Sequence, residues 1–232
     1  MTSYGRSGRY YDSLYADKDY RGEVAHLLER LEGKAVGGRL LDLGCGTGRH
    51  LEHLLEHFEC HGLDLQPELL EVARRRLSAT PLYEGDMADF SAPGPFDLLT
   101  CFFGSVGYLG SQERLTQAAT HWADLLKPGG WLALETWIQP EEFRAGRVMA
   151  TFVDEPDFKL TRMAVSCATG TLYDTDFHYL LATPQGVEHF SERHQLRMYT
   201  HAEYRSALEG AGFVCNWEPD LGIRGMYLGQ LA

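Results

Sequence analysis

The run Leu40-Leu41-Asp42-Leu43-Gly44-Cys45-Gly46-Thr47-Gly48 constrains this chain more than any other stretch. A strand-like apolar burst breaks into a turn with glycine at every second position, and a helix-like segment follows. Glycine permits a tight turn and a close backbone approach, while the first N–H groups of the next helix lack intrahelical partners and can face a ligand. The pattern predicts a strand whose end cradles a nucleotide-like group. A dinucleotide fingerprint would need its third glycine at position 49, which is Arg49, so the spacing is G-x-G-x-G and not G-x-G-x-x-G.

Composition sets the frame for that loop. With 232 residues, 44% of them apolar, the chain suits one domain carrying an insertion. It has no apolar run of about 18 residues and no basic segment leading into an apolar one at its start, so neither a membrane span nor a secretory signal is expected. The expected location is the cytoplasm. The five cysteines are scattered and lack C-x-x-C spacing, which argues against a disulfide framework or a zinc knuckle. A formal charge of −12 with no basic stripe excludes a phosphate backbone as partner, so no nucleic acid is expected.

From Arg39 to Trp137, strand-like bursts alternate with helical stripes, the signature of a parallel sheet covered on both faces. The bursts are 40–43, 60–65, 81–83, 96–103 and 131–137. The stripes run through Leu51, Leu54, Leu55 and Phe58; through Leu69, Leu70, Ala73 and Leu77; and through Leu115, Ala118, Ala119, Trp122 and Leu125. Lys127-Pro128-Gly129-Gly130 is expected to end the last helix and form the turn before the next strand. A tyrosine-rich opening and an amphipathic helix bearing Val24, Leu27, Leu28 and Leu31 precede the sheet. Beyond Trp137, residues 158–168, 171–183 and 186–199 alternate like antiparallel strands. They predict an inserted cap over 138–199. A helix near 200–211 and strands near 213–217 and 225–231 would complete the sheet, so that 1–137 and 200–232 form one domain.

In open parallel α/β sheets the ligand lies beyond the carboxyl ends of the strands. Asp64 ends the second burst, where a carboxylate can accept both hydroxyls of a ribose. Asp86, beside Met87, follows the third and suits an adenine amino group. Together with Asp42, these acids make an electronegative cleft whose only nearby basic residue is Arg49, and cations fit such a cleft better than a pyrophosphate does.

Through Leu41-Asp42-Leu43-Gly44-Cys45-Gly46-Thr47-Gly48, Gly62-Leu63-Asp64, Gly85-Asp86-Met87, Phe96-Asp97 and Leu126-Lys127-Pro128-Gly129-Gly130, the chain resembles the class I S-adenosylmethionine-dependent methyltransferases. The resemblance implies a Rossmann-like α/β fold, a seven-stranded sheet of order 3-2-1-4-5-7-6 with the last strand antiparallel, and S-adenosyl-L-methionine as cofactor. It assigns Tyr11, Lys18, Asp42, Gly44, Cys45, Gly46, Asp64, Leu65, Asp86, Met87 and Phe102 to cofactor contacts. A narrower resemblance, to the nucleotide-linked aminosugar N-methyltransferases, rests on Tyr11-Asp12, Lys18-Asp19-Tyr20, His50-Leu51, Gly85-Asp86-Met87-Ala88-Asp89-Phe90, Pro140-Glu141-Glu142-Phe143 and Arg224-Gly225. Those enzymes usually carry a histidine after the fourth strand, where this chain reads Gly104-Ser105-Val106-Gly107-Tyr108.

Methyl transfer from a sulfonium is an in-line displacement that needs alignment and a dry pocket more than a strong base. Tyr108 is accordingly a candidate for orienting an acceptor amine. Tyr10, Tyr11 and Tyr15 with Lys18 suggest a lid, with Lys18 or a hydroxyl meeting the methionine carboxylate. Trp137, Arg144 and Arg224, along with Arg147 and Arg162, stand where a small-molecule acceptor must enter, and arginine suits a diphosphate. His50, His53 and His57 share one helical flank expected to be solvated, and no metal is expected. Three alternatives stay open: a methyltransferase of another small metabolite, a nicotinamide-dependent oxidoreductase, and a non-catalytic cofactor-binding protein. The sequence also leaves a homodimer open.

Overall fold

The computed structural model describes residues 4–232. A 3-10 turn at Ser7–Tyr10 runs into the short helix α1 (Tyr11–Leu14), and α2 (Tyr20–Leu31) follows. Asp19 caps α2 by accepting the Gly22 N–H at 2.8 Å. The alternating region then forms β1 (Arg39–Leu43), α3 (Arg49–Leu54), β2 (Glu59–Asp64), α4 (Pro67–Arg76), β3 (Leu82–Glu84), β4 (Phe96–Cys101), α5 (Gln112–Leu125) and β5 (Leu126–Glu135). Next come β6 (Val148–Asp154), β7 (Lys159–Val165), β8 (Cys167–Thr169), β9 (Leu172–Thr183) and β10 (Gly186–Arg197). The chain ends with α6 (His201–Gly210), β11 (Phe213–Glu218) and β12 (Met226–Leu231).

The main sheet has seven strands in the order β11-β12-β5-β4-β1-β2-β3, with β12 antiparallel to both neighbours and the pairs from β5 to β3 parallel. Counted within this sheet, that is the order 3-2-1-4-5-7-6. β1 lies between β2 and β4 and is buried on both faces, which is why it reads as a continuous apolar run. Period-two alternation sends Leu41 and Leu43 into the core with Trp122 and Tyr204, and Leu40 into the opposite core with Leu27, Leu31 and Leu51. A second, antiparallel sheet has the order β10-β9-β7-β6, with β8 paired to β9. Among the described residues, no helix is long and apolar enough to cross a membrane.

Three local readings are corrected. Helix α3 ends at Leu54, so His57 lies beyond it and Leu55 is 43% exposed, whereas Phe58 is buried on the way into β2. Pairing of β5 starts at Leu126, directly after α5: Leu126 pairs with Phe96 and Trp131 with Leu98, so Lys127–Gly130 bulges out within the strand instead of preceding it. Strand β6 escaped notice because its apolar residues alternate toward solvent, with Val148 72% and Phe152 66% exposed.

Helix α5 also fixes the loop after β3. The fully buried Trp122 donates Nε1–H to the Met87 carbonyl at 2.8 Å, and Arg114 pairs with Asp86 at 2.6 Å. Trp122→Phe keeps most of the apolar burial but leaves the Met87 carbonyl unpaired, a loss of about 1–3 kcal/mol. Urea denaturation should show a lower midpoint at an unchanged slope. Equal midpoints would show that this bond carries no stability.

Candidate active site

The glycine loop folds back over the end of β2. Gly44 and Cys45 both donate N–H to the Leu63 carbonyl, at 2.7 and 2.9 Å. Asp64 then takes the Gly46 N–H at 2.7 Å on Oδ2 and the Gln66 N–H at 2.8 Å on Oδ1. One carboxylate thus holds the loops after β1 and β2 together while keeping acceptor capacity for a ligand. Gly44 has φ +72°, and a Cβ there would lie 2.8 Å from Ser105 Cβ. At Gly46, φ +56°, a Cβ would meet nothing within 4 Å, so this glycine borders open space.

That space is a cavity of about 550 Å³, within the range of small-molecule sites. Of the residues expected at the cofactor, Tyr11, Gly44, Gly46, Asp64, Leu65, Asp86 and Met87 line it, and Tyr108 lies on its wall. Other candidates face elsewhere. Asp42 is a β1 residue behind the loop and not part of it, buried, with Oδ1 accepting from the Thr100 hydroxyl at 2.8 Å. Cys45 is buried. Phe102 stacks on His50 with centroids 4.0 Å apart, and the next residue, Phe103 at φ +58°, lines the cavity instead. Lys18 is nearly enclosed and ion-paired to Glu23, whose other oxygen takes His50 at 2.8 Å. His50 is therefore buried and bonded, not solvated as its helical flank suggested.

The acceptor-side candidates are more scattered. Arg144 spends its guanidinium on the carbonyls of Glu141 and Phe143, and Arg162 reaches the Tyr15 hydroxyl at 3.0 Å. Arg224 lies 4.5 Å above the Trp137 ring and 5.7 Å from Phe103, and its buried Nη1 has no partner among the described residues. Nor is Arg49 the only base near the acids: Arg114 pairs with Asp86, and Arg193 lines the cavity.

Sequence reasoning missed several groups that shape this site. Asp12 accepts from the Thr47 hydroxyl at 2.6 Å and pairs with Arg76 at 2.6 Å, tying the N-terminal segment to the glycine loop. Glu192 on β10 takes the N–H groups of Arg6 and Ser7 at 2.7 and 3.0 Å, tying the same segment to the second sheet. The fully buried Glu135 accepts from Phe103 N–H at 2.5 Å and Ile223 N–H at 3.0 Å, joining the loops after β4 and before β12. A lone acidic residue that binds a group distant in sequence has no periodic signature. Only the adjacency of Asp12 to Tyr11 hinted at one of the three.

Burial raises the pKa of Asp64 to about 6 and that of Asp42 to about 7, the latter helped by the charge of Asp64. Asp42 Oδ2 is buried with no partner among the described residues. A carboxylate only partly compensated by backbone N–H groups, Asp64, beside a glycine that opens on the cavity, fits S-adenosylmethionine, which brings ribose hydroxyls and cationic centres. If Asp64 takes the ribose diol as a carboxylate, binding below its free pKa requires release of a proton. Affinity for S-adenosylmethionine should therefore fall as pH drops through about 6, by roughly tenfold per unit below it. Calorimetry giving a flat profile from neutral pH to about pH 5 would contradict this assignment.

Known proteins share this fold and much of this sequence. A methyltransferase domain family matches residues 40–130. The dTDP-3-amino-3,4,6-trideoxy-alpha-D-glucopyranose N,N-dimethyltransferase of Streptomyces venezuelae is 35% identical over 225 residues, 94% of this chain and 95% of that one. The sugar N-methyltransferase KedS8 from a Streptoalloteichus species superposes with TM-score 0.88 at 33% identity, over 95% of this chain and 92% of the other. An S-adenosylmethionine-bound amino pentose methyltransferase from Micromonospora echinaspora superposes at 0.85 with 32% identity, over 100% of this chain and 99% of its own. With the glycine loop, the acid at the end of β2 and the strand order all in place, the chain belongs to the class I S-adenosylmethionine-dependent methyltransferases, in the group of the nucleotide-linked aminosugar N-methyltransferases.

Proposed function

We propose that this protein is a cytoplasmic enzyme that transfers a methyl group from S-adenosylmethionine to the amine of a nucleotide-linked aminosugar, with residues 138–199 as the cap over the acceptor. The observation that carries the reading is the single cavity reaching from Asp64 and Leu65, past Gly44, to Tyr108 and to Arg193 and Gln195 on β10. Its first part suits the adenosyl group and its far end the acceptor.

Bound S-adenosylmethionine supplies a methyl group already activated on a sulfonium. The chain's task is then to hold a neutral amine in line with that methyl and to exclude water. In this reading Asp64 takes the ribose hydroxyls, Asp86 and Met87 face the adenine, and Asp42 stabilises the cationic end from behind the loop. Tyr11, beside the Asp12 clasp, closes the cavity from the lid. Lys18 acts through Glu23 and His50, bracing the lid instead of meeting the methionine carboxylate. Tyr108 orients the amine. Arg224, with a free donor over the Trp137 ring, is the strongest candidate for an anionic group of the acceptor.

Val148, Phe152, Met163, Val165 and Leu180 all project from the outer face of the second sheet and are more than half exposed. We assign a second copy of the chain as the occupant of this face, the two apolar faces stacking sheet on sheet about a two-fold axis. Light scattering should give a dimer for the wild type and a monomer for the Phe152→Asp/Met163→Asp double variant. A monomeric wild type would overturn the assignment.

Incubation with S-adenosylmethionine and a dTDP-linked aminosugar should give S-adenosylhomocysteine and N-methylated sugar nucleotide, followed by mass spectrometry. The matching sugar with hydroxyl in place of amine should give neither. Arg224→Gln should raise KM for the nucleotide sugar about tenfold, a loss of about 1.4 kcal/mol, without changing S-adenosylmethionine affinity. Turnover of the hydroxyl sugar alone would favour O-methylation.

A further inference from the structure

Tyr108 stands in the 3-10 turn Ser105–Leu109, between the end of β4 and α5. Its hydroxyl has two neighbours: Nδ1 of His194 at 2.7 Å and the Tyr4 hydroxyl at 3.0 Å. His194 comes from β10 of the second sheet and is 2% exposed. Tyr4 and Phe177 pack edge-on against its ring, with centroids at 4.7 and 5.0 Å. Thr175 faces it across the β9–β10 pair, and both Thr175 Oγ1 and His194 Nε2 are buried without a protein partner among the described residues. One bridging water would satisfy both.

The charge state of the imidazole follows from what surrounds it. Burial, and then the positive charge of Arg162 on β7, push its pKa down to about 4. The nearest acid on its own strand face, Glu192, is engaged with the backbone of Arg6 and Ser7. The Tyr108 phenol is shifted the opposite way, upward, by burial and by the neighbouring tyrosines. Both groups are therefore neutral at physiological pH, and a neutral imidazole has one donor and one acceptor nitrogen.

Which nitrogen holds the proton decides what Tyr108 can do. If Nδ1 carried it, the Tyr108 hydroxyl would be free to donate toward an incoming amine and would tie up the lone pair that must attack the methyl carbon. If Nδ1 accepts, the Tyr108 proton is committed to His194. The phenolic oxygen can then accept the Tyr4 hydroxyl proton on one side and an N–H of the amine on the other, which leaves the amine's lone pair free.

We propose that His194 is a positioning residue: by accepting the Tyr108 hydroxyl proton on Nδ1, it fixes Tyr108 as a hydrogen-bond acceptor for the nucleophilic amine. This rests on the aminosugar N-methyltransferase reading above. His194 is not the final sink for the ammonium proton released after transfer, because burial and Arg162 disfavour the imidazolium. Its removal should thus lower kcat without moving the pH profile.

The test combines kinetics with a spectroscopic readout. His194→Phe keeps the ring packing and removes the acceptor, and should lower kcat about 10- to 100-fold with S-adenosylmethionine affinity unchanged. His194→Asn, whose amide oxygen replaces Nδ1, should recover most of the loss. Tyr108→Phe should match His194→Phe, and the double variant should fall no further. A His194→Phe variant as fast as the wild type, or additive losses, would overturn the proposal. In the S-adenosylhomocysteine-bound wild type, side-chain 15N NMR should show His194 as the neutral Nε2–H tautomer down to about pH 5, and its signal should shift in Tyr108→Phe. An Nδ1–H tautomer, or an imidazolium at neutral pH, would overturn it equally. The NMR readout needs no acceptor, so a wild type that fails to methylate an aminosugar sinks the functional reading alone.

Discussion

One buried carboxylate, Asp64, organises the cofactor end of this protein. By accepting the N–H groups of Gly46 and Gln66 it locks the glycine loop to the end of the neighbouring strand. Neither loop has regular structure to hold it at that point, so the geometry of the cleft depends on an ion that burial itself destabilises. That tension is the functional point. Protein backbone only partly compensates the charge, which leaves acceptor capacity for a ligand that brings donors and positive charge.

The same device recurs around the site. Asp12, Glu135 and Glu192 each accept from groups on segments far apart in sequence, and together they draw the N-terminal segment, the loop after β4 and the second sheet toward the glycine loop. Breaking the Glu135 or Glu192 link leaves backbone donors unpaired in a buried setting, which costs more than the link contributes. The acidic net charge is thus partly structural: several acids are used as staples for loops.

What was legible in the sequence is what repeats. The apolar bursts and stripes located the parallel sheet because β1, β2 and β4 are buried on both faces, and Asp64, Asp86, Met87 and the glycines could be placed because they follow those bursts at the strand ends. The rest depends on tertiary contacts. Phe102 and Phe103 are indistinguishable in a motif, and only the left-handed backbone at Phe103 turns one inward and the other toward the cavity. Lys18 looks like a ligand for a carboxylate, and it is, but the carboxylate is Glu23. His194 sits in an alternating strand and is silent until the fold brings Tyr108 to within 2.7 Å. Strand β6 was hidden because its apolar face points outward, against the usual sense of burial.

The most direct measurement is a crystal structure of the protein with S-adenosylhomocysteine. Both ribose hydroxyls should lie on Asp64 with its bonds to Gly46 and Gln66 kept, the base should lie between Leu65 and Met87, and the sulfur should point toward Tyr108. A cofactor whose ribose sits away from Asp64, or whose sulfur faces away from the cap, would contradict the assignment of this cavity.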